Sequence, residues 1–446
     1  MPFRFQRVLL IALVSFVACE AYSETVRISD TSTTSSDLSR VVAKTLQRLT
    51  HAPGDHHKVV IHGTFQPTST IKFLWFSDKP LTVCGSVDTA SHFDGSLMKD
   101  GDALLFIAGQ NISIAGIQFH HSQGHALVVG GNSDNYSVTN CSFRDCRQSA
   151  IHVWNDPHAV VAETETRGFV TGNQIERFNL AKAKWKNDGI TVFDQRVIIA
   201  GNSISNSETE TNGIRAMGRD LVVERNSITN VSRDDSGGIY LWGGPHASLF
   251  RGNIVRWNHI VGASRGVYLD DGTSGATVLE NVIERSTVCG IFVSGGRDNV
   301  VIRNVIDRAP IFFHLDSRCL GWDSRPEFQE MVRASNKRLS VALSDASSGP
   351  LLRERYPEFR EISVNQLDQG HQSRPEGNRV KANFVRNVKS HFEWMDFAKD
   401  VKTDFQASNE IAEPETFGVS ESLSTMSFHR RFGFEGFDKL SELRFQ

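Results

Sequence analysis

Three short stretches of this chain carry side chains that can move protons. Leu269-Asp270-Asp271-Gly272-Thr273-Ser274-Gly275 sets two carboxylates side by side before a turn, and Gly295-Gly296-Arg297-Asp298-Asn299 and His314-Leu315-Asp316-Ser317-Arg318 follow it. On a strand, neighbouring side chains diverge, so Asp270 is expected to face outward and Asp271 to lie at the turn. Asp270 and Asp316 would then stand two strand spacings apart, on the order of 10 Å. Carboxyl groups separated by ~6.5–9.5 Å can protonate a glycosidic oxygen from one side and activate water from the other. Arg297 and Arg318 can grip a carboxylate bidentately or lower the pKa of a nearby aspartate. Any one of these charges alone reads best as a cap or a surface ion pair; their recurrence in consecutive repeats favours a site.

The elements that position them are a repeat. Asn followed by a short β-rich run recurs at Asn173, Asn202, Asn226, Asn253, Asn281 and Asn304, with a late copy at Asn383 and a looser early one at Asn140; from Asn173 onward the steps are 29, 24, 27, 28, 23 and 79 residues. A second motif, Gly-Ile/Val followed by an alternating strand, starts at Gly189, Gly213, Gly238, Gly266 and Gly290, and Pro310-Ile311-Phe312-Phe313-His314 closes the series. A period near 25 leaves no room for the helix of a βαβ unit or for a propeller blade of about 40 residues. It fits an all-β solenoid, a right-handed parallel β-helix. Alternation sends Ile190, Val192, Ile214, Ala216, Ile239, Leu241, Val267, Leu269, Ile291, Val293, Ile311 and Phe313 inward.

The outward column reads Thr191/Phe193, Arg215/Met217, Tyr240/Trp242, Tyr268/Asp270, Phe292/Ser294 and Phe312/His314. Flat aromatic surface rimmed by charge suits sugar rings, which have apolar faces and polar edges. The plainer explanation is that a loop or a C-terminal segment covers this face. Both hold together if such segments wall a cleft.

The rest of the chain sets the context. The 446 residues carry 48 Lys and Arg against 51 Asp and Glu, a formal charge of −3 that argues against a nucleic-acid binder. Residues 1–23, with Arg4 and Arg7 before an apolar run at 8–18, read as a secretion signal cleaved after Ser23. Cys19 makes a loose match to a lipid-anchor site, ranked below simple secretion; no other apolar run is long enough to span a membrane. Five cysteines then remain, of which Cys141 and Cys146 either bridge or sit buried as small hydrophobes. Residues 24–56 read as a lead-in and cap with a helix near 38–49, residues 57–316 as the β-helix, 317–380 as a partly helical insertion with a helix at 326–339, and 381–446 as a last coil and tail. His152 and the weak Asp156-Pro157-His158 signal offer further acid–base groups, while His56-His57 and His120-His121 lack the partners of a metal site.

Taken together, Tyr268 through Gly275, Gly295 through Asn299, His314 through Arg318 and Leu320-Gly321-Trp322 resemble secreted, pectate-lyase-like right-handed β-helix proteins, among them fucosidase/xylanase-like glycoside hydrolases. The resemblance runs on through Arg353-Glu354-Arg355-Tyr356-Pro357 and Pro375-Glu376-Gly377-Asn378. It implies a glycan partner and acidic catalysis by Asp270, Asp271 and Asp316, with Arg297, His314, Arg318 and Trp322 in matching motifs. Tyr240, Trp242 and Tyr268 complete the expected substrate-binding set. Cys319 departs from the pattern where glycine is expected, and Asp156-Pro157-His158 resembles a mannuronan C5-epimerase motif. β-Helices host several chemistries. A hydrolase is the first expectation, without metal or cofactor. A uronate lyase or epimerase, with Ca²⁺ as its helper, is the second, and a non-catalytic glycan binder the third. A monomer is expected in each case.

Overall fold

The computed structural model describes residues 24–30, 38–88, 90–155, 166–183, 187–207, 211–231, 235–244, 247–360, 374–395 and 410–416. The signal segment at 1–23, the Asp156-Pro157-His158 motif and most of the tail lie outside these.

Each coil contributes three short strands, and every strand pairs in parallel with its counterpart one coil on. Thr277–Leu279, Val282–Glu284 and Cys289–Ser294 form one such coil, stacked on Val300–Ile302 and the long strand Val305–Asp316. The result is a right-handed parallel β-helix whose interior is a continuous apolar stack. The ladder starts earlier than the sequence indicates, because Glu24–Ser29 already pairs with His57–Phe65. Helix α1 (Leu38–His51) buries Leu38, Val42, Leu46 and Leu49, a stripe at helical spacing that packs into the core at this first end. Its basic last turn, with Arg48 and His51, suits the negative end of the helix dipole.

After Asp316 the chain leaves the barrel, forms α2 (Pro326–Ser344) and α3 (Ser348–Arg355), and rejoins the ladder at Arg379–Lys381. Pro326 sits in the first turn of α2, where its missing N–H is harmless. Among the described residues no helix is long and apolar enough to cross a membrane.

Of the twelve residues expected inside, eleven are buried, but Ile311 is only partly so. The register explains it. Ile291 pairs with Phe313 and Phe292 with His314, so the last outward entries are His314 and Asp316 rather than Phe312 and His314. Aligning Pro310 with Gly290 is two residues out; Phe312 turns into the core.

The asparagine series needs a similar correction. The buried ladder runs through Asn173, Asn202, Asn226, Asn258, Asn281, Asn304 and Asn383. Asn253 belongs to another corner, level with Asn299 and Asn378, as the pairing of Ile254 with Thr277, Thr277 with Val300 and Val300 with Arg379 requires. Asn140 sits one residue before the ladder, where it adopts φ 51°, and Cys141 takes the ladder position. Cys141 and Cys146 are both buried and unbridged.

Each ladder amide is saturated. Asn226 Oδ1 accepts from the backbone N–H (3.0 Å) and the side-chain amide (2.9 Å) of Asn202, while its own Nδ2 donates to Asn258 Oδ1 (3.0 Å) and Ile199 O (2.9 Å). Replacing Asn258 with alanine strands the backbone and side-chain donors of Asn226 in a dry corner. Asn258→Ala is expected to cost about 3 kcal/mol. In urea unfolding, this would appear as a lower midpoint with an unchanged slope.

Candidate active site

The strand Arg265–Asp270 points Val267 and Leu269 into the core and Tyr268 and Asp270 outward. Asp271 ends it with a left-handed φ of 46°, which turns its carboxylate past the strand end. Thr273 locks the turn by donating its hydroxyl to Asp270 O (2.8 Å) and Leu241 O (3.0 Å). Two coils on, Asp316 ends the strand Val305–Asp316 at the same outward position, in register with Ser294. Asp316 then accepts the backbone N–H of Arg318 (2.9 Å) and the Ser294 hydroxyl (3.1 Å).

That turn sends the Arg318 side chain back across the face. Its Nη1 donates to Asp270 Oδ1 (3.2 Å) and Asp271 Oδ1 (3.1 Å), and its Nε lies 3.9 Å from Asp316 Oδ2. The remaining acceptors are also used: the Tyr240 hydroxyl donates to Asp270 Oδ2 (2.6 Å) and the Trp242 indole N–H to Asp271 Oδ2 (2.8 Å). Asp270, Asp271, Asp316, Arg318, Tyr240 and Trp242 thus come together around one guanidinium.

Burial raises two of the carboxyls. Burial raises Asp316 to about 6, against the pull of the Arg318 backbone N–H and guanidinium. Burial and the neighbouring Asp271 raise Asp270, while Arg318 and Tyr240 oppose them. Arg318 is held more firmly protonated, because the surrounding aspartates outweigh the effect of burial. Among the described residues no group of three or more His, Cys, Asp or Glu is arranged to hold a metal.

The other sequence-derived candidates lie apart from this cluster or beneath it. Tyr268 is fully buried; its ring packs edge-on to Tyr240 (5.1 Å) and stacks on Phe292 (4.7 Å), and Phe292 in turn meets His314 (4.2 Å). These edge-on and stacked contacts cover the ring, so Tyr268 has no surface left for a ligand. His314 is buried against Phe292, with Glu393 3.9 Å from its Nδ1. Arg297 is engaged by Asp298 (3.1 Å) and Glu376 (3.9 Å). Trp322 is buried and stacked on Phe328 of α2 (4.4 Å), where it anchors the insertion.

Ser294 is the site residue that inspection of motifs missed. Its signal was its place in the outward column between Asp270 and Asp316. The insertion supplies a wall: Leu339, Ala342 and Leu343 of α2 and Leu352 of α3 pack with Phe193, Met217 and Phe250, and Trp242 lies against the same cluster. The anchoring is polar as well, since Tyr356 donates its hydroxyl to Asp220 (2.6 Å) and Ser335 to Ser248 (2.8 Å).

With that geometry fixed, comparison with known proteins adds the following. The family described as "Right handed beta helix region" matches residues 166–312. No curated protein matches the chain. Among solved structures, a DFA-IIIase from Arthrobacter chlorophenolicus A6 in complex with GF2 aligns at 12% identity over 65% of this chain and 82% of its own, with a TM-score of 0.46. The catalytic domain of a GH87 alpha-1,3-glucanase aligns at 10% identity over 91% and 70%, TM-score 0.47. The A-module of a mannuronan C-5 epimerase from Azotobacter vinelandii aligns at 8% identity over 85% and 95%, TM-score 0.43.

The raised Asp316 couples stability to pH. Its carboxyl titrates near 6 when folded, against 3.8 as the reference for the unfolded chain. The folded chain therefore binds more protons in that window, and stability falls as pH rises through it. Asp316→Asn removes the buried charge. It is expected to stabilise the chain by up to about 3 kcal/mol at pH 8 and to leave it unchanged near pH 3.5. Urea midpoints at the two pH values check this, and equal shifts at both would refute it.

Proposed function

We propose that this chain is a secreted glycoside hydrolase acting on a neutral polysaccharide. The observation that carries the proposal is the cluster itself: two aspartates bound to one guanidinium nitrogen, with a third, Asp316, buried enough to keep its proton to about pH 6. A buried carboxyl that keeps its proton beside further carboxyls is the arrangement glycoside hydrolysis uses for its general acid. Asp316 is the general acid that protonates the leaving oxygen. Asp270 and Asp271 supply the carboxylate that activates water or attacks the sugar. Tyr240 and Trp242 hold those carboxylates in place through single hydrogen bonds.

The charge balance favours a neutral substrate. Three carboxyl groups face one guanidinium, so no positive charge is left over to attract a uronate. Lyase or epimerase chemistry needs a cation on the substrate carboxylate, and Arg318 is already committed to its own aspartates.

One observation favours a second reading, a glycan-binding protein without turnover. Asp270 and Asp316 each expose only 5% of their surface, and both oxygens of Asp270 are occupied by Arg318 and Tyr240.

Release of reducing ends from a panel of neutral polysaccharides separates the two. The chain lacking residues 1–23 is expected to release them, with activity falling about tenfold per pH unit above pH 6 as Asp316 loses its proton. Asp316→Asn and Asp270→Asn should each lower the rate by at least about a hundredfold with the fold intact. An active chain indifferent to both substitutions refutes the assignment. Binding without release selects the second reading.

A further inference from the structure

The outward column that ends at Asp270 and Asp316 begins with a feature the cluster does not use. Leu74, Ala108, Gly130 and Trp154 occupy successive rungs of one column, in register through three parallel pairings. Farther along, the same column continues through Phe193 and Met217 to Trp242 and Asp270. Trp154 is 58% exposed and Phe76, just past the end of the strand Ile71–Trp75 that carries Leu74, 70% exposed. Between them the column carries only Ala108 and Gly130, so the floor sinks.

Trp154 does not hang free in solvent. Its indole lies nearly parallel to the His152 ring (10°, 5.7 Å) and edge-on to Phe193 (84°, 4.9 Å). His152 in turn stacks on His125 (4.3 Å). An exposed indole braced by rings on its inner side is a fixed, flat, apolar platform. At the opposite end a recess of 240 Å³ beside Phe76 is edged by Gln110, Asn132 and Asp134. Amides and a carboxylate are the groups that bind sugar hydroxyls.

We infer that this strip, from Phe76 to Trp154, is a glycan-binding subsite array separate from the carboxylate cluster. The inference shares its ligand class, a neutral glycan, with the proposed function. Two observations set the occupant. Three coil steps span about 14 Å, the reach of roughly three sugar rings laid along the axis. Among the described residues, the exposed large apolar side chains of this strip are Leu74, Phe76 and Trp154, far short of the ~800 Å² per partner that a stable protein contact buries. The strip itself runs along the β-helix axis up to the wall where α2 and α3 cover Phe193 and Met217, so a bound chain lies along that axis and the array acts on long glycans and not on short ones.

The test uses the chain lacking residues 1–23 with Asp270→Asn, so that ligands persist. Cello-, xylo- and laminari-oligosaccharides are titrated by calorimetry in a short and a long set. Trp154→Ala is expected to weaken binding of the long set about tenfold and to leave the disaccharides within twofold. Trp154→Phe, which keeps a flat ring, should restore most of the loss. Phe76→Ala provides an independent variant at a site outside the core and should show the same length dependence. Affinities unchanged in both alanine variants overturn the inference, as does a dimer that Trp154→Ala dissociates in the absence of sugar. Trp154-dependent binding together with an inactive native chain retains this inference and refutes the hydrolase. Reducing-end release with no dependence on Trp154 or Phe76 does the reverse. Failure of the native chain to bind any of these sugars overturns both.

Discussion

The rise from one coil to the next is set by a parallel strand pair, about 4.8 Å, and nothing else in this molecule can be placed without it. The buried asparagines enforce that rise, because each amide must meet its neighbour above and below to be satisfied. A coil that slipped would break several buried hydrogen bonds at once. The fixed rise turns a one-dimensional spacing in sequence into a column of side chains in space, and both the carboxylate cluster and the aromatic strip are such columns.

Burying carboxylates at the end of a column has a cost, and the structure offsets it in two ways. Asp270 and Asp271 share the charge of Arg318 and each takes a further hydrogen bond from an aromatic side chain. Asp316 lies farther from that charge, 3.9 Å from Arg318 Nε, and burial pushes both it and Asp270 to keep their protons to a higher pH. The same burial that the cluster must tolerate inside the fold raises the proton affinity of Asp270 and Asp316.

Much of this was legible in the sequence, because a solenoid writes its register into its repeats. The fold followed from a period too short for any helix between strands, and the outward placement of Asp270 followed from alternation. Two errors came from local resemblance. Asn253 and Asn258 both precede a β-rich run at a corner, and only hydrogen bonding tells which corner is which. Pro310 imitates the glycine that opens earlier strands, which hid a two-residue offset. What covers a face is harder to read, since alternation gives direction but not depth. Tyr268 and Phe292 point outward, as expected, yet lie buried in their own stack. The wall made by α2 and α3 depends on contacts such as Ser335 with Ser248, 87 residues apart, which no local pattern encodes.

The excursion that begins at Ser317 also interrupts the order in which the molecule can assemble. Elsewhere ladder asparagines are separated by 23 to 32 residues, but Asn304 must find Asn383 across 79. Closing that longer loop costs about 1 kcal/mol more in chain entropy than closing an ordinary coil. The earlier coils can zip up by neighbour contacts alone, and the final ones wait for the excursion to fold back. Arg318 opens that segment two residues past Asp316, so the coil that ends at Asp316 already brings its guanidinium to Asp270 and Asp271, and the excursion folds back over a centre whose charges are matched. For this chain, the charged centre is set before the last span closes over it.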